Sequence, residues 1–544
     1  MDVTCHTVRV TTEIWEWGGR RHGLSRATTK LIRSRLGELR PHPPAGPVRP
    51  RPSRLPAEAW AALVAATGPG SGGGWVRDDH DIRSGHATGR NYLDLLALRS
   101  GEPLDAPDAV VFPADHAEVR AVLEACVEHR VAVVPYGGGT SVVGGVAPER
   151  AGFAAVVALD LRRLDALREV DPVSLTARLQ PGLRGPEAER LLAAHGLTLG
   201  HYPQSWARAT LGGYAATRSA GQGSAGYGRF DEMVEALVVA TPAGDLRLGR
   251  APRSAAGPDL RQLMLGSEGT LGVITELTVR VRRQPEVRRY EGWSLPSLED
   301  GLAAVRRLAQ DGPTPDVVRL SDPEETAVTL AMGGPAAGLL GRYLRVRGQT
   351  EPCLLVVGWE DTAERVRWRR PGARRLLRRA GAVPLGTAVG DAWRKGRFTG
   401  PTLRDDLLDA GVMVETLETA APWSALADLH RAVREAVTGA LAEPATVMCH
   451  VSHVYPTGGS LYFTVLARQR PGAEAAQWRA AKQAASAAIV AAGATITHHH
   501  AVGADHQAYL AAEVGDLGVD VLRAVKARLD PTGILNPGKL IPPS

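Results

Sequence analysis

Several common sequence signals are scarce in this chain of 544 residues. Its four cysteines, Cys5, Cys126, Cys353 and Cys449, lack the spacing of a metal site or a disulfide framework. No apolar run reaches the length of a membrane span, and the first residues lack the charged and apolar regions of a signal peptide. No internal repeats or heptad arrays occur. These absences predict a large cytoplasmic protein in a reducing compartment.

Acidic residues are rare between Arg20 and Arg54, where arginines contribute much of the net charge of +6. We expect a solvated arm there, with contact to anionic lipid or nucleic acid as the alternatives. The proline-rich residues 41–56 predict a stiff, unpacked polyproline II connector, and the glycines within 67–75 predict a flexible break.

The most informative segment is a glycine loop that follows a strand. The pattern over residues 109–135 predicts a strand, a helix and a second strand, which together form a βαβ unit. The second strand runs into the three glycines at 137–139, whose amides can form an anion-binding nest, and Thr140 and Ser141 add donors. The loop matches neither Walker A nor GxGxxG, so by itself it fits a phosphate loop and a plain turn about equally.

Two further glycine-rich segments follow at 210–228 and 266–269, the second before a predicted strand at 271–281. Three such loops predict a long cofactor with several polar groups. From residue 284 helices and strands alternate, with a buried strand predicted at 353–359 and helices at 422–441 and 473–492. We expect the chemistry to lie in this second region.

Three consecutive histidines, residues 498–500, follow a strand-like ATIT segment. Adjacent residues of an extended chain point to alternate sides, so at most two imidazoles would share a face. This argues against a metal site made from the triplet alone. The residues by themselves support a structural cluster and a catalytic role equally.

Tyr462 lies on a predicted strand at 460–465, where packing into the core is the commoner role. Arg404 and Arg319 carry guanidinium forks that suit phosphate or carboxylate. A salt bridge to the neighbouring Asp405 or Asp322 is the simpler interpretation of each arginine.

The PYGGGTS loop, the GSEGTLGVIT segment and the DPTGILNPGKL tail resemble the FAD-linked oxidase superfamily, whose FAD domain is of the vanillyl-alcohol oxidase type. From about Trp15 to Leu540 the chain is most similar to the alkylglycerone-phosphate synthase family, also called alkyldihydroxyacetonephosphate synthases. The resemblance implies an α+β protein, with a two-subdomain PCMH-type FAD-binding domain and an α+β cap domain for the substrate. The expected divisions are an arm and linker, an FAD domain, a cap and a segment that returns to the FAD domain, at 1–75, 76–283, 284–500 and 501–544.

The resemblance also implies the site. The residues that match the family's catalytic and substrate-binding positions are Tyr462, His498, His499, His500, Arg404 and Arg319. The family's tyrosine transfers a proton. A phenol with a pKa of about 10 is a poor base at neutral pH, so we expect the histidines to favour its phenolate. No metal is expected.

FAD is the cofactor that the resemblance implies, and the glycine loop has no histidine to attach it, so we expect non-covalent binding. The residues expected to contact FAD are Pro135, Tyr136, Gly137, Gly138, Gly139, Thr140, Ser141, Gln204, Ser205, Thr210, Gly212, Gly213, Glu268, Gly269, Thr270, Leu271, Gly272, Val273 and Ile274. The chain departs from the family where Gln204 replaces an aspartate and Ala501 replaces a glycine.

The implied reaction exchanges the acyl group of acyl-dihydroxyacetone phosphate for a fatty alcohol through a flavin N5 adduct, without net oxidation, in ether lipid synthesis. The expected partners are these long-chain lipids and not nucleic acid. Peripheral contact with a membrane and a homodimer are left open.

The alternative is an FAD-dependent 2-hydroxyacid dehydrogenase or oxidase, in which histidines and a glutamate hold a metal. His450 and His453 stand in the corresponding strand region and His500 aligns with a ligand histidine, but His499 takes the place of the glutamate. The missing carboxylate, together with Tyr462, favours the synthase. A non-catalytic flavin- or lipid-binding protein would have no need of these side chains.

Overall fold

The structure is a computed structural model that describes residues 23–68, 74–312, 314–441 and 443–543. The tryptophan-rich start of the chain and most of the glycine-rich break predicted at 67–75 lie outside these ranges. No helix of the described residues is long and apolar enough to cross a membrane.

The N-terminal region consists of short elements. They are α1 (Arg26–Leu36), β1 (Arg49–Pro50), α2 (Ala57–Thr67), β2 (Val76–Arg77), α3 (His80–Gly85), α4 (Tyr92–Arg99) and β3 (Pro103–Leu104). Ile32 and Leu36, one turn apart on α1, pack against Leu407, Val412 and Val414 of the later chain. The expected solvated arm is therefore wrong for α1, because its apolar stripe is buried.

The proline-rich connector also packs in part. Residues 49–50 pair with β3 in a parallel bridge, and Val48 beside them is buried. The prediction of an unpacked polyproline II segment is wrong here. The reason is that the edge of a neighbouring strand offers hydrogen-bond partners that sequence composition does not reveal.

The next region carries the glycine loops. Its elements are β4 (Ala109–Val111), α5 (His116–Glu128), β5 (Val131–Tyr136), β6 (Ala155–Asp160), β7 (Leu167–Asp171), β8 (Thr176–Leu179), α6 (Gly185–Ala193), β9 (Leu197–Thr198), α7 (Leu211–Ala216), α8 (Ser224–Tyr227), α9 (Phe230–Met233), β10 (Val234–Thr241), β11 (Gly244–Leu248), α10 (Leu260–Met264), β12 (Val273–Arg280) and β13 (Arg282–Arg283).

Two sheets organise this region. The first has the order β2-β4-β6-β5, in which β4, β6 and β5 are parallel, so the predicted βαβ unit is confirmed. Its helix α5 buries Val119, Val122, Leu123 and Cys126, the stripe that the sequence predicts. The second sheet is antiparallel with the order β11-β10-β12-β8-β7.

The third region is built on one large sheet. Its elements are β14 (Val287–Leu295), α11 (Leu298–Gln310), β15 (Val317–Ser321), α12 (Pro323–Met332), α13 (Gly334–Val346), β16 (Cys353–Asp361), α14 (Ala363–Arg379), β17 (Val383–Gly386), α15 (Thr387–Gly396), α16 (Gly400–Asp409), β18 (Val412–Pro422), α17 (Leu426–Leu441), β19 (Ala445–Val454), β20 (Gly458–Arg468) and α18 (Glu474–Ala491).

The sheet of this region has seven antiparallel strands in the order β17-β14-β16-β15-β19-β20-β18. Apolar side chains of the sheet form one core with α11, α14, α17 and α18. Along β20, Leu461, Phe463 and Val465 face this core, so Tyr462 and Thr464 face away from it. The sheet thus has a second face that can carry a site.

The C-terminal segment packs against the glycine-loop region. It contains a 3₁₀ turn (Gln507–Tyr509) and α19 (Leu510–Leu529), which is interrupted at Gly515. The amide of Asn536 donates to the carbonyl of Val133 on β5 over 2.7 Å, and Lys526 Nζ donates to the carbonyl of Thr270 over 2.8 Å. The whole is the α+β fold that the resemblance implies.

Candidate active site

A cavity of about 410 Å³ lies between the glycine loops and the open face of the seven-stranded sheet. It is lined by Tyr462, His499, His500, Arg404, Arg319 and, from the predicted cofactor set, Pro135, Tyr136, Gly137, Gly138, Gly139, Thr140, Ser141, Gln204, Ser205, Thr210, Gly212, Gly213, Glu268, Gly269, Gly272, Val273 and Ile274. His498, Thr270 and Leu271 are buried and do not line it. Residues from three regions of the chain thus meet in one space.

The first glycine loop lies so close to its neighbours that side chains are excluded. A Cβ on Gly138 would overlap the carbonyl oxygen of Arg208 and lie 2.8 Å from the Cα of Ala209. A Cβ on Gly137 would overlap the hydroxyl of Thr210, which caps α7 by accepting from the amide of Gly213. The two loops therefore form one wall with exposed backbone.

Glu268 joins the third loop to the C-terminal segment. It has a positive φ of 52°, and its carboxylate accepts from the amides of Val502 and Gly503 over 2.9 Å each. Burial raises the pKa of Glu268 to about 7. This wall of the cavity therefore depends on residues more than 200 positions apart.

A row of polar residues crosses the open face of the sheet. In register, Ser321 pairs with His450, His450 pairs with Tyr462, and Tyr462 pairs with Glu418. The rings of Tyr462 and His450 stack with centroids 4.9 Å apart. Cross-strand partners share a face, so the four strands place one proton-bearing side chain beside the next.

Burial affects the pKa of Tyr462 and of its histidine neighbours. Burial raises the pKa of Tyr462 to about 12, away from the phenolate that was predicted. Burial likewise lowers the pKa of His498 to about 3 and holds the pKa values of His500 and His453 well below their usual range. Burial of the phenol thus acts against a phenolate, and the expectation that the histidines favour the phenolate stays a prediction.

The histidine triplet does not follow a strand. The preceding ATIT segment makes a single β-bridge, between Thr495 and Ala420, so the predicted strand there is wrong. The backbone instead turns around the carboxylate of Glu418, which accepts from the amides of His498, His499 and His500. The argument from alternating sides therefore does not apply to these three imidazoles.

Three imidazoles come close enough to share an ion. One ring nitrogen from each of His453, His498 and His499 lies within 4.8 Å of the others. His498 Nε2 also lies 2.8 Å from the hydroxyl of Tyr455. This set differs from the His450, His453 and His500 of the dehydrogenase alternative, and the expectation of no metal stays a prediction.

Both arginines are paired, but not with the neighbours that the sequence suggested. Arg404 donates to Glu415 Oε2 over 2.9 Å and to the carbonyl of Arg90 over 2.8 Å. The expected partner Asp405 forms an ion pair with Arg99 instead. A strand neighbour on β18 is nearer in space than the next residue of α16, whose side chain points elsewhere.

Arg319 is part of a charged triad. It donates to Glu325 Oε1 over 2.6 Å and lies 3.0 Å from His450 Nε2, while His450 Nδ1 is 2.9 Å from Glu325 Oε2. Burial would raise the pKa of Glu325, but Arg319 and His450 hold it below its ordinary value. Asp322, the expected partner, caps α12 through the amide of Glu325.

Sequence reasoning missed the carboxylates that organise these groups, which are the buried Glu415 and Glu418 and the largely buried Glu325. Two of them interrupt the apolar strand VMVETLETAAP, and a charged residue inside a buried strand is the signal that could have revealed them. Other unpredicted side chains of the cavity are Tyr214, Thr217, Trp393, Thr416, Ser452 and Thr464.

Comparisons with known proteins agree with this geometry. Residues 107–249 match the model of an FAD binding domain, and residues 284–540 match the C-terminal domain of FAD linked oxidases. The alkyldihydroxyacetonephosphate synthase of Dictyostelium discoideum is 32% identical over 481 residues, 86% of this chain and 78% of that protein. The synthase of Trypanosoma brucei brucei is 33% identical over 482 residues, with the same two coverages. The chain belongs to the alkyldihydroxyacetonephosphate synthase family.

A solved alkyldihydroxyacetonephosphate synthase structure superposes on this family member with a TM-score of 0.81 and 28% identity, covering 97% of this chain and 99% of the other. The protein is an FAD-dependent enzyme of this type. The residues present fit FAD, because the glycine loops expose backbone donors along a cavity in which a Cβ at Gly137 or Gly138 would collide.

Proposed function

We propose that this enzyme exchanges the acyl group of acyl-dihydroxyacetone phosphate for a fatty alcohol. The bond between C1 and the ester oxygen breaks, a bond from C1 to the alcohol oxygen forms, and the fatty acid leaves with both of its oxygens. The exchange needs no net oxidant. The observation that carries the proposal is the single cavity that joins the glycine loops to Tyr462, Arg404 and Arg319.

The chain's own side chains would divide the work as follows. Arg404 and Arg319 would hold the phosphate, because a guanidinium has five N–H donors and only two of them are engaged in the contacts described for each arginine. Tyr462 would move the C1 proton from its place in the polar row of the sheet. FAD, when bound, would supply an electron-accepting centre. The reaction through a flavin N5 adduct, which the resemblance implies, stays a prediction.

The reaction is tested with hexadecanol labelled with ¹⁸O and anaerobic, FAD-loaded enzyme. We expect the ether product to retain the ¹⁸O and the flavin to finish oxidised, because the alcohol oxygen becomes the ether oxygen. Bleaching of the flavin by a 2-hydroxy acid, without ether formation from the lipid substrates, would support the dehydrogenase instead.

Contact with a membrane is the second part of the proposal. On α13, Leu339, Tyr343 and Val346 are exposed, the last at 86%, and the exposed Arg342 and Arg345 stand among them. Apolar side chains flanked by arginines fit an anionic lipid surface. The fraction of protein that cosediments with vesicles in which one third of the lipid is phosphatidylserine should fall when Leu339 and Val346 are changed to serine. Unchanged binding of this double variant would refute a role for this surface.

Non-covalent attachment of FAD, a cytoplasmic location and a homodimer also belong to the proposal. Acid precipitation should release yellow FAD into the supernatant if the cofactor is not covalently bound. Flavin that remains with the precipitate would contradict that prediction.

A further inference from the structure

The carboxylate of Glu418 is the centre around which the histidine triplet turns. The amides of His498, His499 and His500 donate to its oxygens over 2.7, 3.1 and 2.9 Å. The hydroxyl of Thr497 donates to Oε1 over 2.6 Å. Four donors from four successive residues thus converge on one side chain, which is completely buried.

Glu418 carries its charge in this position. Burial alone would raise the pKa of the carboxyl, but His499 and the hydrogen bonds hold it well below the ordinary value. Its oxygens lie 3.5 Å from His499 Nδ1 and 3.9 Å from His500 Nδ1. An ionised carboxylate with several donors is a strong and directional anchor for a loop.

The turn decides where the imidazoles lie. Because the three amides point toward the carboxylate of Glu418, the rings of His499 and His500 lie close to the ring of Tyr462. The distances between ring centroids are 6.0 Å for His499 and 5.5 Å for His500. Glu418 is itself the cross-strand partner of Tyr462 on β18. One strand pair therefore sets the position of both the phenol and the loop that faces it.

We propose that Glu418 is a positioning residue, which fixes the histidine triplet against Tyr462 by binding the backbone of residues 497–500. The inference rests on the proposed function for its catalytic consequence. It assigns no contact between Glu418 and the substrate. The buried carboxylate of Glu418 acts by keeping the histidine triplet in place relative to Tyr462.

The structural half of the proposal is tested by hydrogen exchange in the FAD-loaded enzyme. In Glu418→Gln one acceptor oxygen becomes an NH₂ group, so the amides of residues 498–500 compete for the remaining oxygen. We expect their exchange to accelerate at least tenfold. Glu360→Gln is the matched control, because Glu360 is a buried carboxylate that accepts from the hydroxyls of Tyr227 and Tyr290 and does not line the cavity.

The catalytic half of the proposal is tested by comparing the change in kcat with the change in KM. Since misplacing reacting groups by about 1 Å costs roughly a hundredfold, Glu418→Gln should lower kcat by about that factor and change KM less than threefold. Glu418→Asp, which keeps the charge but is one methylene shorter, should recover part of the loss. Faster exchange with unchanged kcat, or unchanged exchange, would overturn the positioning role.

A third readout needs no turnover and so separates this inference from the proposed function. Diethylpyrocarbonate should modify His499 and His500 at rates that differ at least threefold between the wild type and Glu418→Gln. If the wild type forms no ether but the exchange and modification rates change as expected, the proposed function fails and the loop role of Glu418 stands. Unchanged rates in either readout refute that role, whatever the enzyme's reaction.

Discussion

Replacing Tyr462 with phenylalanine removes one oxygen from the cavity and keeps the ring between its histidine neighbours. The stacking on His450 at 4.9 Å and the backbone pairing of β20 do not depend on the hydroxyl. We therefore expect Tyr462→Phe to fold and to bind FAD as the wild type does. Its proton transfer is what should change.

The size of the effect follows from the surroundings of the phenol. Because burial raises the pKa of Tyr462 to about 12, the phenolate is about 2.7 kcal/mol less favourable than at an ordinary pKa of 10. The neutral phenol is then the form present at neutral pH, and it must exchange its proton with a neighbour. Losing a general acid–base group costs at least about a hundredfold in rate.

The assay is exchange of the C1 hydrogen of the ketone phosphate with deuterated water, followed by NMR in the anaerobic, FAD-loaded enzyme. It measures proton transfer separately from ether formation. Tyr227→Phe is the control, because it removes another buried hydroxyl, one that donates to Glu360 away from the cavity. If Tyr462→Phe exchanges at the parental rate, the proton is carried by the histidine triplet and the reasoning fails.

Three further outcomes are expected. Arg404→Lys should raise KM for the phosphate substrate at least tenfold with FAD content unchanged, since lysine keeps the charge but loses the fork. An unchanged KM would limit Arg404 to its contacts with Glu415 and the carbonyl of Arg90. Gly138→Ala should lose FAD, measured by absorbance, because its Cβ would meet the backbone of Ala209, and full flavin content would show that the loop can move. Ala501→Gly should stabilise the protein by about 0.5–1 kcal/mol, read as a higher Tm, because Ala501 has a φ of 74°, and an unchanged or lower Tm would contradict this.

Much of the cofactor region was predictable because its signals are local. Three glycines after a strand indicate exposed backbone wherever they occur, and the pattern over residues 109–135 specifies the βαβ unit that carries them. The same holds for the apolar stripe of α5 and for the alternation along β20 that turns Tyr462 away from the core. In each case the prediction depends only on residues that lie within one or two helical turns, or one or two strand positions, of each other.

Tertiary structure decided the rest, because the relevant contacts join distant parts of the chain. The apolar stripe of α1 lies buried against residues 407–414, and Arg404 pairs with Glu415 across a turn instead of with its neighbour. The three histidines are plain in the sequence, but their arrangement depends on Glu418, some 80 positions earlier. A buried carboxylate attracts whichever amides the fold brings to it, and only the folded chain determines which amides those are.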